Sequence, residues 1–161
     1  MDKGDYYSSD NGDNIAAYND DNSDICTIAS SANTGFVFDI SDGSINNGTN
    51  VGIMSANGGA NQRFRINRSG AVSIINAVHS GKSLDVDGWS TRPGTNVQQW
   101  QSNSGTAQNW LFYDAGNGYV YIKSELGSVY LTVDGTEAGS NVNIQEFAGT
   151  ENQKFKLIKN N

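Results

Sequence analysis

Three residues near the middle of the chain, Asp85, Gln98 and Trp100, have the side chains best suited to chemistry. Side chains alternate between the two faces of a strand. If Leu84 and Val97 point into a core, the register turns all three of these side chains outward. A carboxylate, an amide and an indole then share one outer face. Such a face binds a ligand: the ring accepts an apolar surface, and each hydrogen bond to the carboxylate contributes roughly 1.5–3 kcal/mol before desolvation.

The acids and bases of the chain do not form a pattern that predicts catalysis. Asp85 and Asp87 are two residues apart on one predicted strand, and no second strand supplies an opposing acid. His79, the single histidine, lies in a Gly/Ser turn without a recognisable nucleophile beside it. We therefore expect a protein without enzymatic activity and without catalytic residues.

Metal ligands are also poorly represented. The segment from Asp20 to Asp24 begins like a calcium-binding loop, but Ile25 and Ser31 stand where that loop requires glycine and glutamate. Cys26 is the single cysteine, so an intramolecular disulfide is impossible. We predict neither a metal site nor a cofactor.

The elements that position the central residues come from a threefold repeat of about 45 residues. Asparagines follow Gly-Thr or Gly-Ser three times, and each copy closes with a Gln-x-aromatic triplet. Both landmarks recur at spacings of 46 and 45 residues, which makes chance an unlikely explanation. They are Asn50, Asn96 and Asn141, and Gln62, Gln108 and Gln153.

Each copy predicts four short strands, because apolar and polar residues alternate over short runs separated by turns. The first strands are marked by Ile28, Ile74 and Ile122, and the last strands follow the Gln-x-aromatic triplets. Twelve strands in three copies predict an all-β fold, a closed threefold barrel with hairpins that leaves few free strand edges. This is a β-trefoil with repeats at approximately 25–70, 71–117 and 118–161.

Charge divides the chain into two parts. Residues 1–24 carry seven aspartates against Lys3, whereas residues 25–161 are nearly neutral. The neutral part has no basic stripe, so nucleic acid is a poor candidate partner. Residues 1–24 are interpreted as an acidic tail or linker, with a docked strand that uses its tyrosines as the alternative. No apolar run is long enough to insert into a membrane, and no signal peptide follows Met1.

Residues 25–159 resemble the ricin B-chain type of β-trefoil lectin. The resemblance rests on Leu84-Asp85-Val86, on the segment from Gly94 to Trp100, and on Gln108-Asn109-Trp110. In that family each repeat can hold a shallow sugar pocket made by a strand aspartate, an aromatic platform and a polar residue at the Gln-x-aromatic motif. The resemblance implies carbohydrate binding in repeat two by Asp85, Gln98, Trp100 and Gln108.

The other two repeats match that pattern less well. Repeat one keeps Asp39, Asn61 and Gln62 but has Met54 in the platform position, which predicts a weaker site. Repeat three has Thr132 and Gln145 in place of the carboxylate and the platform. Phe147 and Asp134 are possible substitutes from shifted positions, so this copy is expected to be mainly structural.

The resemblance implies a secreted glycan-binding module, with galactose, N-acetylgalactosamine or a plant or bacterial polysaccharide as its ligand. Such modules serve larger enzymes, toxins or adhesins, so an upstream catalytic or toxin domain is a further expected partner. The alternative is a protein-interaction β-trefoil such as a protease inhibitor. An inhibitor would concentrate distinctive residues in one long loop, and the sequence does not predict such a loop.

Overall fold

The computed structural model describes residues 14–15 and 25–160. This part of the chain consists of short strands, turns and single 3₁₀ turns, and contains no helix long and apolar enough to cross a membrane. The strands are β1 Asn14–Ile15, β2 Ile25–Ser30, β3 Asn33–Ile40, β4 Val51–Ser55, β5 Phe64–Ser69, β6 Val72–Ala77, β7 Ser83–Val86, β8 Val97–Trp100, β9 Trp110–Gly116, β10 Tyr119–Ser124, β11 Tyr130–Val133, β12 Val142–Gln145 and β13 Phe155–Lys159.

Six strands close into a barrel. The antiparallel ring runs β2–β5–β6–β9–β10–β13 and returns to β2. The remaining strands of each repeat form the hairpins β3–β4, β7–β8 and β11–β12. Each repeat thus contributes two barrel strands and one hairpin, which is the architecture of a β-trefoil. The prediction of an all-β, threefold trefoil is confirmed.

The core is filled by the inward faces of all three repeats. Its large buried side chains include Phe38, Phe64, Trp110, Phe112 and Phe155. Phe38 packs edge-to-face against Phe64 and Phe155, with ring centroids 6.5 and 5.1 Å apart. Trp110 donates its indole N–H to the Leu84 carbonyl oxygen at 3.2 Å, so this buried polar group is satisfied. The aromatic residues of the Gln-x-aromatic triplets are therefore core residues.

The strand that Ile74 marks in repeat two is present as β6, but Ile74 is not the residue of that strand that faces the core. Ile74 is only half-buried, whereas Ile75 is fully buried together with Ser73 and Ala77 on the same face of β6. Ile75, and not Ile74, is therefore the residue of β6 that is equivalent to Ile28 and Ile122. Two adjacent isoleucines satisfy the alternation equally well, so only the pairing with β5 decides which of them faces inward.

A ring of three asparagine side chains joins the hairpins around the threefold axis. Asn96 donates to Asn50 at 2.8 Å, Asn50 donates to Asn141 at 2.7 Å, and Asn141 donates back to Asn96 at 2.8 Å. Each side-chain amide therefore gives one hydrogen bond and accepts one. The asparagine landmark of the sequence repeat marks the point where the three copies meet.

The acidic segment 1–24 lies almost entirely outside the described residues, so its interpretation as a tail or linker stays a prediction. The described exception is β1, whose backbone pairs antiparallel with β9 at Tyr113 and Phe112. This pairing places residues 14–15 alongside the last strand of repeat two.

Candidate functional site

An open pocket of about 230 Å³ lies at the end of the β7–β8 hairpin. It combines two carboxylates, two amides and two indoles within one concavity. Among the residues predicted from the sequence, three meet here. The lining residues are Asp85, Asp87, Gly88, Trp89, Gln98, Trp100 and Asn103.

Asp85 forms the floor of this pocket. Gln98 Nε2 donates to Asp85 Oδ1 at 3.0 Å, and Gln108 Nε2 donates to Asp85 Oδ2 at 3.0 Å. Asp85 is only 4% exposed, so its placement on an open outer face is wrong: it leaves the barrel core but is buried under neighbouring side chains. Each carboxylate oxygen keeps a lone pair beyond the one used by its glutamine. Asp85 is thus a pre-oriented acceptor at the bottom of the pocket.

Burial alters the acidity of this carboxyl group. Desolvation raises the pKa of Asp85 above its ordinary value of 3.8, the hydrogen bonds from Gln98 and Gln108 oppose that rise, and the negative charge of Asp87 adds to it. Asp39 in repeat one has a raised pKa for the same leading reason, with Gln62 opposing the rise. A carboxylate held in this way gains from any further hydrogen-bond donor that a ligand supplies.

Gln108 stands behind Asp85 and is not among the residues that line the pocket. Its Nε2 also donates to the Gln101 carbonyl oxygen at 2.9 Å, and its Oε1 accepts from the Asn103 amide at 3.0 Å. The hydrogen-bonding atoms of the Gln108 side chain are thus used by Asp85 and by the backbone of the loop from Gln101 to Asn103. Gln108 therefore orients Asp85 and shapes the loop that carries Asn103.

Trp100, at the end of β8, forms one wall of the pocket and is 39% exposed. Its position depends on the loop of repeat one. Gly48, with φ of +86°, comes so close that a β-carbon there would lie 3.8 Å from Trp100 Cζ3. Asn47 Oδ1 accepts a hydrogen bond from the Gln101 amide at 2.8 Å. A neighbouring repeat therefore braces the indole from behind.

Gln99 is a supporting residue whose task sequence reasoning missed. It points inward as the register predicts and is fully buried. Its Nε2 donates to the carbonyl oxygens of Ser44 and Asn46 at 2.7 and 2.9 Å, and its Oε1 accepts from Ser80 Oγ at 3.0 Å. It ties the loop of repeat one to β8. The sequence feature that could have indicated this role is the glutamine itself, because the equivalent inward positions of the other repeats are Ile53 and Ile144.

Trp89 also lines the pocket, and its backbone is in a conformation that favours glycine. Its φ is +59°, and the side chain is 53% exposed. In repeat one the equivalent position is Gly43, with φ of +65°. A β-carbon added at Gly105 would lie 2.5 Å from Trp89 Cζ2, so the indole rests directly on that glycine. A bulky residue in this region costs about 1–3 kcal/mol and is typical of functional sites.

Repeat one contains a smaller, less complete version of the site. A pocket of about 180 Å³ includes Asp39 and Met54, with no aromatic wall. Gln62 Nε2 donates to Asp39 Oδ2 at 2.9 Å, as Gln108 does to Asp85. Asn61 donates to the Ile40 carbonyl oxygen at 3.0 Å, and neither Asn61 nor Gln62 lines the pocket. Of the residues predicted for repeat one, Asp39 therefore lines the pocket, whereas Asn61 and Gln62 support the surrounding structure.

Repeat three keeps the support but not the acceptor. Gln153 Nε2 donates to Thr132 Oγ1 at 3.1 Å, so a hydroxyl replaces the carboxylate. Asp134 Oδ1 accepts from the Asn141 backbone amide at 2.8 Å and fixes the hairpin loop. Phe147 packs on Tyr121 of the barrel strand β10 and on Tyr130 of β11, and the cavity that it lines does not include Thr132. Neither residue replaces the missing carboxylate or platform.

The sequence model of the family described as "Ricin-type beta-trefoil lectin domain-like" matches this chain twice, over residues 14–100 and 60–145. The chain belongs to this family. The resemblance inferred from the sequence motifs is thereby confirmed, and the lectin-type fold indicates carbohydrate binding as the general function. Within the described residues, no group of three or more His, Cys, Asp or Glu side chains could hold a metal ion. A search of curated protein sequences gave no match.

Solved structures give the same fold assignment. The designed threefold-symmetric protein ThreeFoil is 31% identical, with a TM-score of 0.80 over 83% of this chain and 97% of its own. The exo-β-1,3-galactanase 1,3Gal43A from Clostridium thermocellum is also 31% identical, with a TM-score of 0.80 over 91% of this lectin-like chain but only 32% of the galactanase. The Macrolepiota procera ricin B-like lectin, solved in complex with lactose, has a TM-score of 0.71 at 16% identity, covering 84% and 95%.

Proposed function

We propose that this chain is a non-catalytic carbohydrate-binding module whose principal site is the pocket of repeat two. The observation that carries the proposal is the pair of amides that hold the Asp85 carboxylate at the floor of a pocket that the indoles of Trp89 and Trp100 also line. The repeat-one pocket has a buried carboxylate but no aromatic wall, and the cavity lined by Tyr121, Tyr130 and Phe147 has aromatic rings but no buried carboxylate.

This combination suits a pyranose ring. One face of such a ring presents C–H groups, which pack on the exposed indole of Trp100, while its hydroxyl groups donate to Asp85. Gln98 and Asn103 add amide groups at the rim that can give or accept further hydrogen bonds. The pocket is shallow and buries little of its ligand, so a single site binds weakly.

The ligand we propose is a galactose-type sugar, including N-acetylgalactosamine, or a plant or bacterial polysaccharide. The module would be secreted and would hold a larger enzyme, toxin or adhesin on a glycan surface. The 31% identical galactanase supports this role, since this chain spans about a third of that enzyme. The acidic segment 1–24 would then be part of a linker, and several weak sites or linked copies would supply avidity.

A catalytic role is not favoured by the two acids of the pocket. Asp85 and Asp87 follow one another at the end of a single strand, so they do not oppose each other across a bound sugar. The rival protein-interaction class has no specific observation in its favour. The connections between hairpin strands are of similar length in all three repeats, and none of them forms a dominant exposed loop.

A glycan array tests the proposal, with the intact protein applied to galactosides, N-acetylgalactosaminides, xylan and arabinan. We expect binding to at least one of these glycans, with no hydrolysis of the bound glycan during prolonged incubation. Absence of binding to every glycan would overturn the lectin function, and release of shorter sugars would overturn the non-catalytic assignment.

A further inference from the structure

A cluster of aromatic side chains lies on the outside of the barrel in repeat three, apart from the repeat-two pocket. The ring of Phe147 is 55% exposed and packs edge-to-face against Tyr121 and Tyr130, with centroids 5.0 and 5.3 Å away. The two tyrosine rings are 6.4 Å apart. Together with Tyr113, Asp114 and Lys123 these rings line an open cavity of about 330 Å³.

This cavity is not the third copy of the Asp85 pocket. The position equivalent to Asp85 is Thr132 and the position equivalent to Trp100 is Gln145, and neither residue lines the cavity. The cavity instead lies over β9, β10 and β11, with Phe147 contributed by the loop that follows β12. It is therefore a separate surface.

The threefold symmetry supplies an internal comparison, because the same scaffold position exists in all three repeats. In repeat two it combines Ile74 and Arg68, the equivalents of Tyr121 and Asp114, with small polar side chains that hydrogen-bond to one another. Asn76 accepts from Asn67 at 2.6 Å and donates to Ser83 at 3.0 Å, and Ser83 lies 2.7 Å from Ser102. In repeat one the position holds small or aliphatic residues. These are Thr27, Ala29, Val37, Ala56 and Ile158.

The scaffold folds with polar, aliphatic or aromatic residues at this position, so folding does not require the aromatic cluster. Phe147 and the two tyrosines form a contiguous, partly exposed aromatic patch, and such patches on a protein surface are typical of ligand-binding sites. Repeat three is therefore a candidate for a second binding surface.

The contacts among the rings limit the chemistry of the ligand. A cage for a quaternary ammonium group needs rings that stand apart around the cation, whereas these rings touch one another. Asp114 and Lys123 bring opposite charges to the same cavity, so the cavity has no net charge that would select an ion. A continuous aromatic wall with hydroxyl, ammonium and carboxylate groups at its rim suits a neutral, polyhydroxylated ring with one apolar face.

We propose that the cavity formed by Tyr121, Tyr130 and Phe147 is a second glycan-binding site, independent of the Asp85 pocket. This inference rests on the proposed function in taking the same class of ligand, a neutral sugar. It differs in its residues, since sugar stacks on Phe147 and hydrogen-bonds to the tyrosine hydroxyls, Asp114 and Lys123. One chain then binds two sugars on different sides, which allows it to bridge two glycan chains.

The two sites can be followed separately, because all three tryptophans lie in repeat two and the cavity of repeat three has none. Tryptophan fluorescence reports on the Asp85 pocket, and NMR of ¹³C-labelled tyrosine and phenylalanine rings reports on the cavity. The probes are galactose, lactose and xylo-oligosaccharides, titrated into the intact chain and into Trp100→Ala. We expect at least one probe to shift the Tyr121, Tyr130 and Phe147 ring signals saturably in both proteins.

Phe147→Ser places at this position the residue that repeat two has at Ser102, and should weaken the ring-detected binding at least tenfold while the tryptophan signal is retained. Ile158→Ser is the matched control, since Ile158 is 42% exposed and is the equivalent of Tyr113 in repeat one; it should change neither signal. Tryptophan-detected binding without any ring shift overturns the second site and leaves the proposed function intact. Ring shifts caused by choline but by none of the sugars would also overturn the second site. So would NMR contacts between these rings and residues 1–24 in the absence of any effect of the sugars. No response at either site contradicts the proposed function as well.

Discussion

Gln108 donates from Nε2 to Asp85 Oδ2 at 3.0 Å, and the same contact recurs between the equivalent residues of the other two repeats. Gln62 meets Asp39 at 2.9 Å and Gln153 meets Thr132 at 3.1 Å. The glutamine of the repeated triplet thus fixes the residue at the pocket floor in every copy. In repeats one and two the glutamine holds a carboxylate, which can accept a hydrogen bond from a sugar hydroxyl group. In repeat three it holds the hydroxyl of Thr132 instead.

Asp85→Asn should weaken binding in repeat two and leave the fold intact. The amide keeps the size of the carboxylate, and the half-buried Gln98 side chain can rotate to accept from the new N–H group. The free energy of unfolding at pH 7 should change by less than about 1 kcal/mol, because a desolvated charge is removed together with stronger hydrogen bonds. Affinity should fall at least about tenfold, which corresponds to 1.4 kcal/mol.

Asp39→Asn is the matched control, because Gln62 holds that carboxylate in the same way in repeat one. Calorimetric titration of both variants should show loss of the principal binding event in Asp85→Asn alone. Equal affinity in wild type and Asp85→Asn would show that the carboxylate does not contact the ligand.

Binding and folding should respond oppositely to acid at this residue. The pKa of Asp85 is raised in the folded state, so its contribution to stability is present below the ordinary pKa of 3.8 and is lost as pH rises through the raised value. Glycan binding requires the ionised form and should therefore weaken as pH falls through that raised value. Titrations of the wild type between pH 7 and pH 3 measure the midpoint, and Asp87→Asn, which removes a charge that raises the pKa of Asp85, should move the midpoint down. A midpoint below 3.8 would contradict this assignment.

Trp89→Gly separates binding from stability. Gly43 occupies the equivalent left-handed position in repeat one, so glycine relieves backbone strain while the exposed indole and its contact with Gly105 are lost. The free energy of unfolding should change by no more than about 1 kcal/mol, against about 3–5 kcal/mol for truncation of a buried tryptophan such as Trp110. Affinity should fall several-fold. Denaturant unfolding and titration of one preparation measure both effects, and unimpaired binding would assign Trp89 to loop packing alone.

Asn141→Ala should destabilise the fold without affecting the repeat-two pocket. The substitution leaves Asn50 Nδ2 and Asn96 Oδ1 without their partners in the ring, at a cost of about 1–3 kcal/mol. Asn160→Ala, at an exposed position near the end of the chain, should stay within about 0.5 kcal/mol of wild type. Equal thermal midpoints for the two variants would mean that the ring does not contribute to joining the repeats.

The threefold scaffold is predictable because its landmarks have the same structural task in each copy. Gln108 and Asn96 must make the same bonds as their counterparts, so their spacing survives in the sequence. The strand face is less certain where two apolar residues are adjacent, as at Ile74 and Ile75. There, only pairing with another strand selects the inward residue.

The site is predictable in its residues and less so in its depth and extent. Alternation places Asp85 outside the barrel core, but its burial depends on Gln98 and on a loop from later in the chain. The role of Trp89 depends on a positive φ that no spacing pattern signals for a tryptophan. The aromatic cluster around Phe147 combines residues from three strands and one loop, so it becomes visible only when the repeats are compared in space.

The central claim is that a sugar stacks on Trp100 above Asp85, and Trp100→Ala tests it most directly. Met54 occupies the equivalent position in repeat one, so Met54→Ala is its control, and both side chains are about two-fifths exposed. Titration of the glycan selected on the array, followed by calorimetry, should show at least a tenfold loss of affinity at the principal site in Trp100→Ala and little change in Met54→Ala. Unchanged affinity and stoichiometry in Trp100→Ala would contradict the account.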